Sequence, residues 1–451
     1  GDILINLRIT RKRLINMYVR ADDIKSIDYI GKQVTIRGWV YRLRKQKENT
    51  FVLIRDDRGG IIQSIFPSEK VTNLTIESSV EINGVVRQDS RAPEGGFKIK
   101  GNNLEIFHIA EPDYPIGEYQ SSELLLDYRH LSLRMRRMIA IAKIRVSILK
   151  YARQWFIEND WMEITPPIVV KGAVEGGSTL FKIKYFDEEA YLSQSAQLYL
   201  EAMIFSLGRV WCLTTSFRAE KSRTIRHLAE FSHLEAEAPW VNLEDILNIQ
   251  EQLISYIVQK TVEERTKEFA LLKRDVSQLK KVKVPFDRIQ YEEAIEILRS
   301  KGFSIEEKNG KKRNIRKGDD LNIESERELT RNTEKPIFII GYPIQVKPFY
   351  VKEDPKNEGI GLAADMLAPS GFGEIISGGL REEDITSITK RIEKEGLNPD
   401  AYKWYLDLRK YGSVPHGGFG LGIERLMRWI INIEDIKDTS LFPRTMSRAT
   451  P

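Results

Sequence analysis

Residues 209–237 read RVWCLTTSFRAEKSRTIRHLAEFSHLEAE. Two runs within them, Val210 to Phe217 and Leu228 to Ala236, are rich in apolar and β-forming residues, and between the runs stand Arg218, Glu220, Lys221, Arg223, Arg226 and His227. The pattern predicts an antiparallel strand pair joined by a basic loop. So many cations repel one another unless an anion lies against them, and guanidinium forks match phosphate and carboxylate oxygens. A polyphosphate is the ligand such a loop would fit, while a solvated charge run on an exposed hairpin is the plainer reading of the stretch taken alone.

A chain of 451 residues has room for two or three domains with cores of their own. No window approaches the roughly 18–20 consecutive apolar residues of a spanning helix, and no signal-peptide core opens the sequence. A membrane location is not expected, and a cytoplasmic one is. Cys212 is the single cysteine, which excludes an internal disulfide framework and fits a reducing compartment. Lys plus Arg number 70 against 65 Asp plus Glu, a formal charge of +5 that permits a nucleic-acid partner without demanding one. Basic residues crowd toward the start, however: Arg8, Arg11, Lys12, Arg13 and Arg20, then Arg37, Arg42, Arg44, Lys45 and Lys47. A polyanion would fit there. No Cys/His spacing suggests zinc, and a Walker loop is absent.

From 31 to about 110, short β-type runs alternate with turns: Val34 to Tyr41, Phe51 to Arg55, Ile61 to Phe66, Ser79 to Arg87, Phe97 to Lys100 and Leu104 to Ala110. The compact choice for so many short strands is an OB-fold barrel, whose sheet face takes single-stranded RNA by stacking and basic contacts. Glu111 to Tyr128 lacks helical periodicity and reads as a linker. Ile141, Ile144, Ile148, Ala152 and Trp155 recur at helical spacing and predict a helix over 134–158. Lys171 to Phe181 carries three glycines and reads as a loop able to close over a substrate. Asn242 to Asp245 caps another helix. Lys308 to Lys317, around Asn309-Gly310, reads as an exposed basic loop. Gln345 to Tyr350 returns to strand character, and Asn398-Pro399 opens a helix to Tyr411.

Phe217-Arg218-Ala219-Glu220 with Arg226-His227-Leu228-Ala229-Glu230-Phe231 resembles motif 2 of the class II aminoacyl-tRNA synthetases, in the form used by the aspartyl, asparaginyl and lysyl subgroup. The 134–158 helix followed by Trp161 to Pro167 resembles motif 1, which builds a dimer interface, and His416-Gly-Gly-Phe-Gly-Leu-Gly-Ile-Glu-Arg-Leu426 resembles motif 3. Ile36 to Val40, Leu43-Arg44, Phe51 to Asp56 and Gly60 to Gln63 resemble the subgroup's anticodon-binding domain. The expected fold is therefore α+β: an N-terminal OB-fold barrel (1–110), a linker (111–128), and a class II catalytic domain with an antiparallel sheet flanked by helices (129–451).

The resemblance also implies roles. Arg218 would bridge the amino-acid carboxylate and the α-phosphate of ATP, with Glu220 and Arg425 completing the catalytic set. Arg226, His227 and Leu228 would serve the nucleotide, Phe231 and Arg425 would sandwich adenine, and Gly422, Ile423 and Glu424 would lie beside it. Glu374, Ser377 and Asp365 would hold Mg2+, whose hard character suits oxygen donors. Glu175, Ser195, Gln197, Leu200, Ser377 and Arg381 would surround the amino acid, while Arg44, Phe51 and Gln63 would read the anticodon. A homodimer is implied, with a tRNA as partner.

Leu200 stands where aspartyl members carry a lysine that pairs with the substrate carboxylate. Losing that cation favours the neutral carboxamide, so asparagine and an asparagine-accepting tRNA are the expected substrates. Ser377 is the aspartyl-like choice and points the other way. Aspartate specificity, an asparagine synthetase on the same fold, and an RNA-binding paralogue without catalysis stand as alternatives.

Overall fold

The structure, a computed structural model, describes residues 18–451. Arg8, Arg11, Lys12 and Arg13 of the basic N-terminal cluster lie outside the described residues. The chain forms two compact units, one ending at Ile139 and the other running from Ala140 to Pro451.

In the first unit, strands Gln33–Lys45, Asn49–Arg55, Ile61–Pro67, Phe97–His108 and Ser79–Gln88 neighbour one another in that order and close into a barrel. Strict alternation sends Ile36, Val52, Ile54, Ile62, Phe66, Val80, Ile82 and Ile99 to an interior from which water is excluded. The two runs expected at 97–100 and 104–110 are one strand. It bends where the register shifts between Asn83 and Gly84. Gly101 makes the bend possible, because a Cβ there would lie 2.3 Å from the Phe66 ring. The expected linker is not wholly irregular: Ser122–Asp127 forms a short helix, whose N-terminus the Ser121 hydroxyl caps by accepting from Leu124 N–H.

The second unit is built on eight strands, in the order Asp287–Gln290, Ile337–Ile340, Ala363–Ala368, Gly373–Leu380, His416–Gly422, Glu230–Pro239, Val210–Phe217 and Met162–Glu163. The central pairs are antiparallel as expected. The outermost pair on each edge is parallel, which makes the sheet mixed. Those edge partners are far apart in sequence, and a parallel pair needs such a long crossover. The helix Arg136–Glu158 buries Ile141, Ile144, Ile148, Ala152 and Trp155, as its spacing predicts. The helix Leu243–Glu264 begins with a reciprocal capping box between Asn242 and Asp245.

Three local expectations are corrected. Gln345–Tyr350 is not a strand; a 3-10 turn covers Ile344–Val346, and Pro343 and Pro348 on either side supply no backbone donors for a ladder. The basic segment around Asn309-Gly310 is the tip of a small hairpin, Ser304–Glu306 with Lys312–Asn314, rather than an open loop. Beyond Asn398, a 3-10 turn at Pro399–Tyr402 precedes the α-helix Lys403–Lys410.

Candidate active site

The strands Gly373–Leu380, His416–Gly422 and Glu230–Pro239 lie side by side and floor a cavity of about 310 Å³. The glycines of the middle strand leave room for its neighbours' polar side chains. A Cβ on Gly418 would sit 2.1 Å from a Glu237 carboxylate oxygen, and one on Gly420 would sit 2.5 Å from His233 Nε2. The glycine-rich strand is thus the means by which large polar groups stand up from a flat sheet.

Arg218, Glu220, Arg226, His227, Leu228, Phe231, Glu374, Gly422, Glu424 and Arg425 line this cavity, as do Glu175, Ser195, Gln197, Leu200, Asp365, Ser377 and Arg381. Ile423 does not: it is fully buried in the core as the first residue of its helix, and its apolar side chain belongs there. One cleft therefore gathers seventeen of the eighteen residues expected in the catalytic unit from segments more than 200 positions apart.

At the cationic end, the Arg218 guanidinium lies 5.3 Å from the Phe231 ring centroid, so the cation resting on Phe231 is Arg218 rather than Arg425. Arg226 is buried and bonded through Nη1 to Glu326 Oε2 at 2.8 Å. His227 Nε2 lies 3.2 Å from Glu220 Oε2. Burial lowers the His227 pKa, with Glu220 opposing and Arg425, Arg226 and Arg218 adding to the drop. Glu424 accepts from Ser232 N–H at 3.0 Å and from Arg145 at 3.4 Å, which fixes the helix start against the strand.

Beside it is a carboxylate group. Asp365 accepts from Ser377 Oγ at 2.8 Å and from Lys347 Nζ at 3.1 Å, and Glu374 lies 3.7 Å from Arg425 Nη1. Burial, then the charge of Asp365, push the Glu374 carboxyl up to about 7. Burial works against the Lys347 charge, yet Asp365 and Glu374 hold its pKa above the ordinary lysine value.

The other end is apolar on one wall and salt-bridged on the next. Leu200 is fully buried. Arg381 donates from Nε and Nη2 to the two oxygens of Glu237 at 2.8 and 3.0 Å. Ser195 Oγ and Ala196 N–H both donate to Glu235, the latter at 2.7 Å. Burial pushes the Glu235 carboxyl up to about 7, against those two donors. Glu175 accepts from the Tyr350 hydroxyl at 3.0 Å. The Gly-rich segment above is tied down by Gln194, whose Oε1 accepts from Val174 and Glu175 N–H and whose Nε2 donates to Gly176 O at 2.9 Å.

On the barrel, Arg44 and Phe51 are cross-strand partners, and the guanidinium lies 4.4 Å from the ring centroid. Both face outward. Gln63 lies between Leu53 and Lys98 on the same face, but it is only 7% exposed. It is not the open contact residue that the sequence suggested.

Sequence reasoning passed over His233, Glu235, Glu237, Glu326, Lys347 and Tyr350. Glu235 and Glu237 were visible as alternating acids in an otherwise apolar strand, a pattern that puts two charges on one buried face. Glu326 gave no signal, because its segment is polar, and Lys347 gave none, because a single lysine in a strand-like run does not show what it faces.

The family described as tRNA synthetases class II (D, K and N) matches residues 121–446, and an OB-fold nucleic acid binding domain matches 34–107. An asparagine–tRNA ligase from Pyrococcus furiosus is 51% identical over 432 residues, covering 93% of this chain and 96% of that protein. One from Thermoplasma acidophilum is 43% identical, covering 95% of this chain and 99% of that protein. The crystal structure of asparaginyl-tRNA synthetase from Pyrococcus horikoshii complexed with asparaginyl-adenylate superposes with a TM-score of 0.91, at 48% identity, covering 97% of this chain and all of that one (100%). With guanidinium groups at one end of the cleft, a neutral salt-bridged pocket at the other and likeness along nearly its whole length, this chain belongs to the class II tRNA synthetases of the D, K and N group.

Proposed function

We infer that this protein ligates asparagine to its tRNA through an asparaginyl-adenylate. The observation that carries the reading is the polarity of this cleft, with Arg218, Arg226, His227 and Arg425 toward one end and Leu200 and the Arg381–Glu237 pair at the other. An ATP triphosphate suits the first end and an uncharged but hydrogen-bonding side chain suits the second.

In the first step an oxygen of the amino-acid carboxylate attacks the α-phosphorus, and the bond from that phosphorus to the pyrophosphate oxygen breaks. Arg218 neutralises both reacting anions and orients them, the electrostatic and positional work that carries most of such a transfer. Phe231 supplies an aromatic face for adenine, with Arg425 across from it. Arg226 and His227 serve the outer phosphates, Arg226 by exchanging its Glu326 contact. In the second step a terminal ribose hydroxyl of tRNA attacks the carbonyl carbon, AMP leaves, and the proton passes to the phosphate oxygen.

Glu374, Asp365 and Ser377 fit a magnesium ion: their donors are all oxygens, and burial, with Asp365 nearby, raises the Glu374 carboxyl, which a bound cation would lower again. The ion would neutralise charge on the phosphates when bound. Lys347 and Ser377 hold Asp365 in place meanwhile. Ser377 thus acts on Asp365, which removes its weight as a sign of aspartate specificity.

Selectivity follows from the other end. A carboxamide can accept from Arg381 and donate to Glu237, whereas a second carboxylate beside Glu237 is repelled. The Arg44–Phe51 face serves the anticodon by stacking and phosphate contact. The exposed apolar residues Val146 and Ile157, eleven positions and so about three turns apart on one helix face, with Met162, support a homodimer across that helix. No helix among the described residues is long and apolar enough to cross a membrane. A reaction fed by ATP and tRNA belongs in the cytoplasm.

Amino-acid-dependent ATP–pyrophosphate exchange tests the reading, with asparagine and aspartate side by side. Exchange with asparagine is expected; exchange with aspartate alone, or with neither, would refute it. Leu200→Lys should raise aspartate activation relative to asparagine by about tenfold, the size of one charge-assisted hydrogen bond.

A further inference from the structure

Behind the amino-acid end, outside the cavity lining, lies a second layer of buried charge. Glu201 is fully buried and both of its oxygens are used. Oε1 accepts from Arg409 Nη2 at 2.9 Å and lies 2.7 Å from His416 Nε2. Oε2 accepts from the Tyr405 hydroxyl at 2.8 Å and from Gln197 Nε2 at 3.2 Å. On its other side, His416 Nδ1 lies 2.8 Å from the Val414 carbonyl oxygen. A carbonyl oxygen only accepts, so Nδ1 carries a hydrogen. The close approach of Nε2 to Oε1 then requires a second proton between them, because two lone pairs at that distance repel. Arg409 donates to Oε1, and Tyr405 and Gln197 donate to Oε2, the surroundings of an ionised carboxylate, so the proton resides on His416.

That charge bears on the cavity through Glu237. Oxygens of Glu201 and Glu237 and a ring nitrogen of His416 all lie within 4.8 Å of one another. Such a trio would suit a metal ion, but Arg381 and Arg409 already deliver two guanidinium groups to it. The cluster is a charge network instead: Arg381, Arg409 and His416 are positive, Glu201 and Glu237 negative, leaving an excess of one positive charge. Also facing it are the Tyr405 hydroxyl and the Gln197 carboxamide, both donating to Glu201, and the Tyr350 ring, whose centroid lies 5.3 Å from the Arg381 guanidinium carbon. Burial favours a proton on Glu237, Arg381 opposes it, Glu201 promotes it and His416 opposes it.

We propose that His416 positions the discrimination between asparagine and aspartate: its charge, held against Glu201, keeps Glu237 ionised. An ionised Glu237 accepts from a carboxamide and repels a carboxylate; a protonated Glu237 would donate to a carboxylate and admit aspartate. The proposal rests on the reading that this cavity takes asparagine.

The experiment is pyrophosphate exchange by the full chain with each amino acid, from about pH 6 to 9. His416→Gln keeps an N–H donor for Glu201 and removes the charge. It is expected to raise the aspartate-to-asparagine ratio of kcat/KM at least ~10-fold, with the ratio growing as pH falls. Glu201→Gln with His416→Gln restores the net charge of the network and is expected to return the ratio to within ~2-fold of the parent, a coupling between contacting residues that a double-mutant cycle reads directly. A purely structural role for His416 predicts no such rescue. An unchanged ratio in His416→Gln, or a double variant as permissive as the single one, overturns the proposal alone; failure of the parent protein to exchange with asparagine overturns the reading of the cavity as well. Nitrogen-15 NMR of the parent protein gives a test free of substitutions. Both ring nitrogens of His416 are expected to be protonated at about pH 7, and a singly protonated ring would sink the idea.

Discussion

The barrel face and the catalytic cavity both gather cations, and they treat them in opposite ways. On the barrel, the Arg42 side chain is 54% exposed and paired with Glu118, itself 61% exposed. Arg44 is exposed too, resting on Phe51. In the cavity, the side chains of Arg226 and Arg381 are 6% and 4% exposed, and each meets a carboxylate just as deeply buried, Glu326 or Glu237. Solvated charges cost little to keep and little to lose, so a surface of them can meet a flexible polyanion without prior commitment. Buried charges must be paired before the substrate arrives, and so they define a shape and a charge pattern. The cavity is selective for that reason, and the barrel face is adaptable.

The sharpest way to break this contrast is to cut one pair in each place. Arg381→Ala leaves Glu237 buried without its partner and is expected to destabilise the protein by about 3–5 kcal/mol in urea unfolding. Arg42→Ala should cost less than about 1 kcal/mol. Equal losses would mean that burial does not set the difference. Arg218→Ala should slow pyrophosphate exchange by about 10²–10³-fold, the usual loss for one electrostatic donor, while tRNA affinity in a filter-binding assay stays within about twofold. Loss of both together would remove the role assigned to Arg218. On the barrel, Phe51→Ala should weaken binding of an anticodon stem-loop by about 1–3 kcal/mol, one stacked base. Arg44→Ala should lower the salt slope of that binding by about 1.

A pH series sharpens the same contrast within the cavity. The Glu374 carboxyl is raised to about 7 from an ordinary value of 4.5. The folded chain thus holds this proton more tightly than the unfolded one. Its contribution to stability is fully present below about pH 4.5 and is lost as pH rises to about 7. A cation needs the ionised form, so apparent Mg2+ affinity, read by titration of the exchange rate, should fall about tenfold for each pH unit below 7. In Glu374→Gln the pH dependence should vanish.

Much of the fold was legible because alternation and helical spacing are local. Val210–Phe217 appears as a strand with the bounds its residues suggest, and the Ile141 to Trp155 stripe is the buried face of its helix. Errors fell where tertiary context overrides local preference. Phe97 to His108 carries a Gly101-Asn102 turn signal, yet the barrel carries it through as one bent strand against Phe66. Gln345 to Tyr350 has strand-forming residues, yet the prolines around it withhold the donors a ladder needs. Within the site, motif residues were found, but their partners were not. Arg226 shows in the sequence as a loop cation; that Glu326 meets it, a hundred positions away, does not.

The sequence by itself determined the class of the protein: the barrel strands, the basic loop between Phe217 and Leu228, the glycine-rich strand at His416–Gly422 and the absence of a cation at Leu200. Each is a local pattern, and local sterics and polarity settle it. Only the tertiary structure decided how the charges pair. Arg381 with Glu237, Ser195 with Glu235, Lys347 with Asp365 and Glu201 with His416 join different segments of the chain, from 18 to 215 positions apart. The physical reason is that a buried charge interacts over a few ångströms with whatever the fold places beside it, and chain distance carries no information about that neighbour.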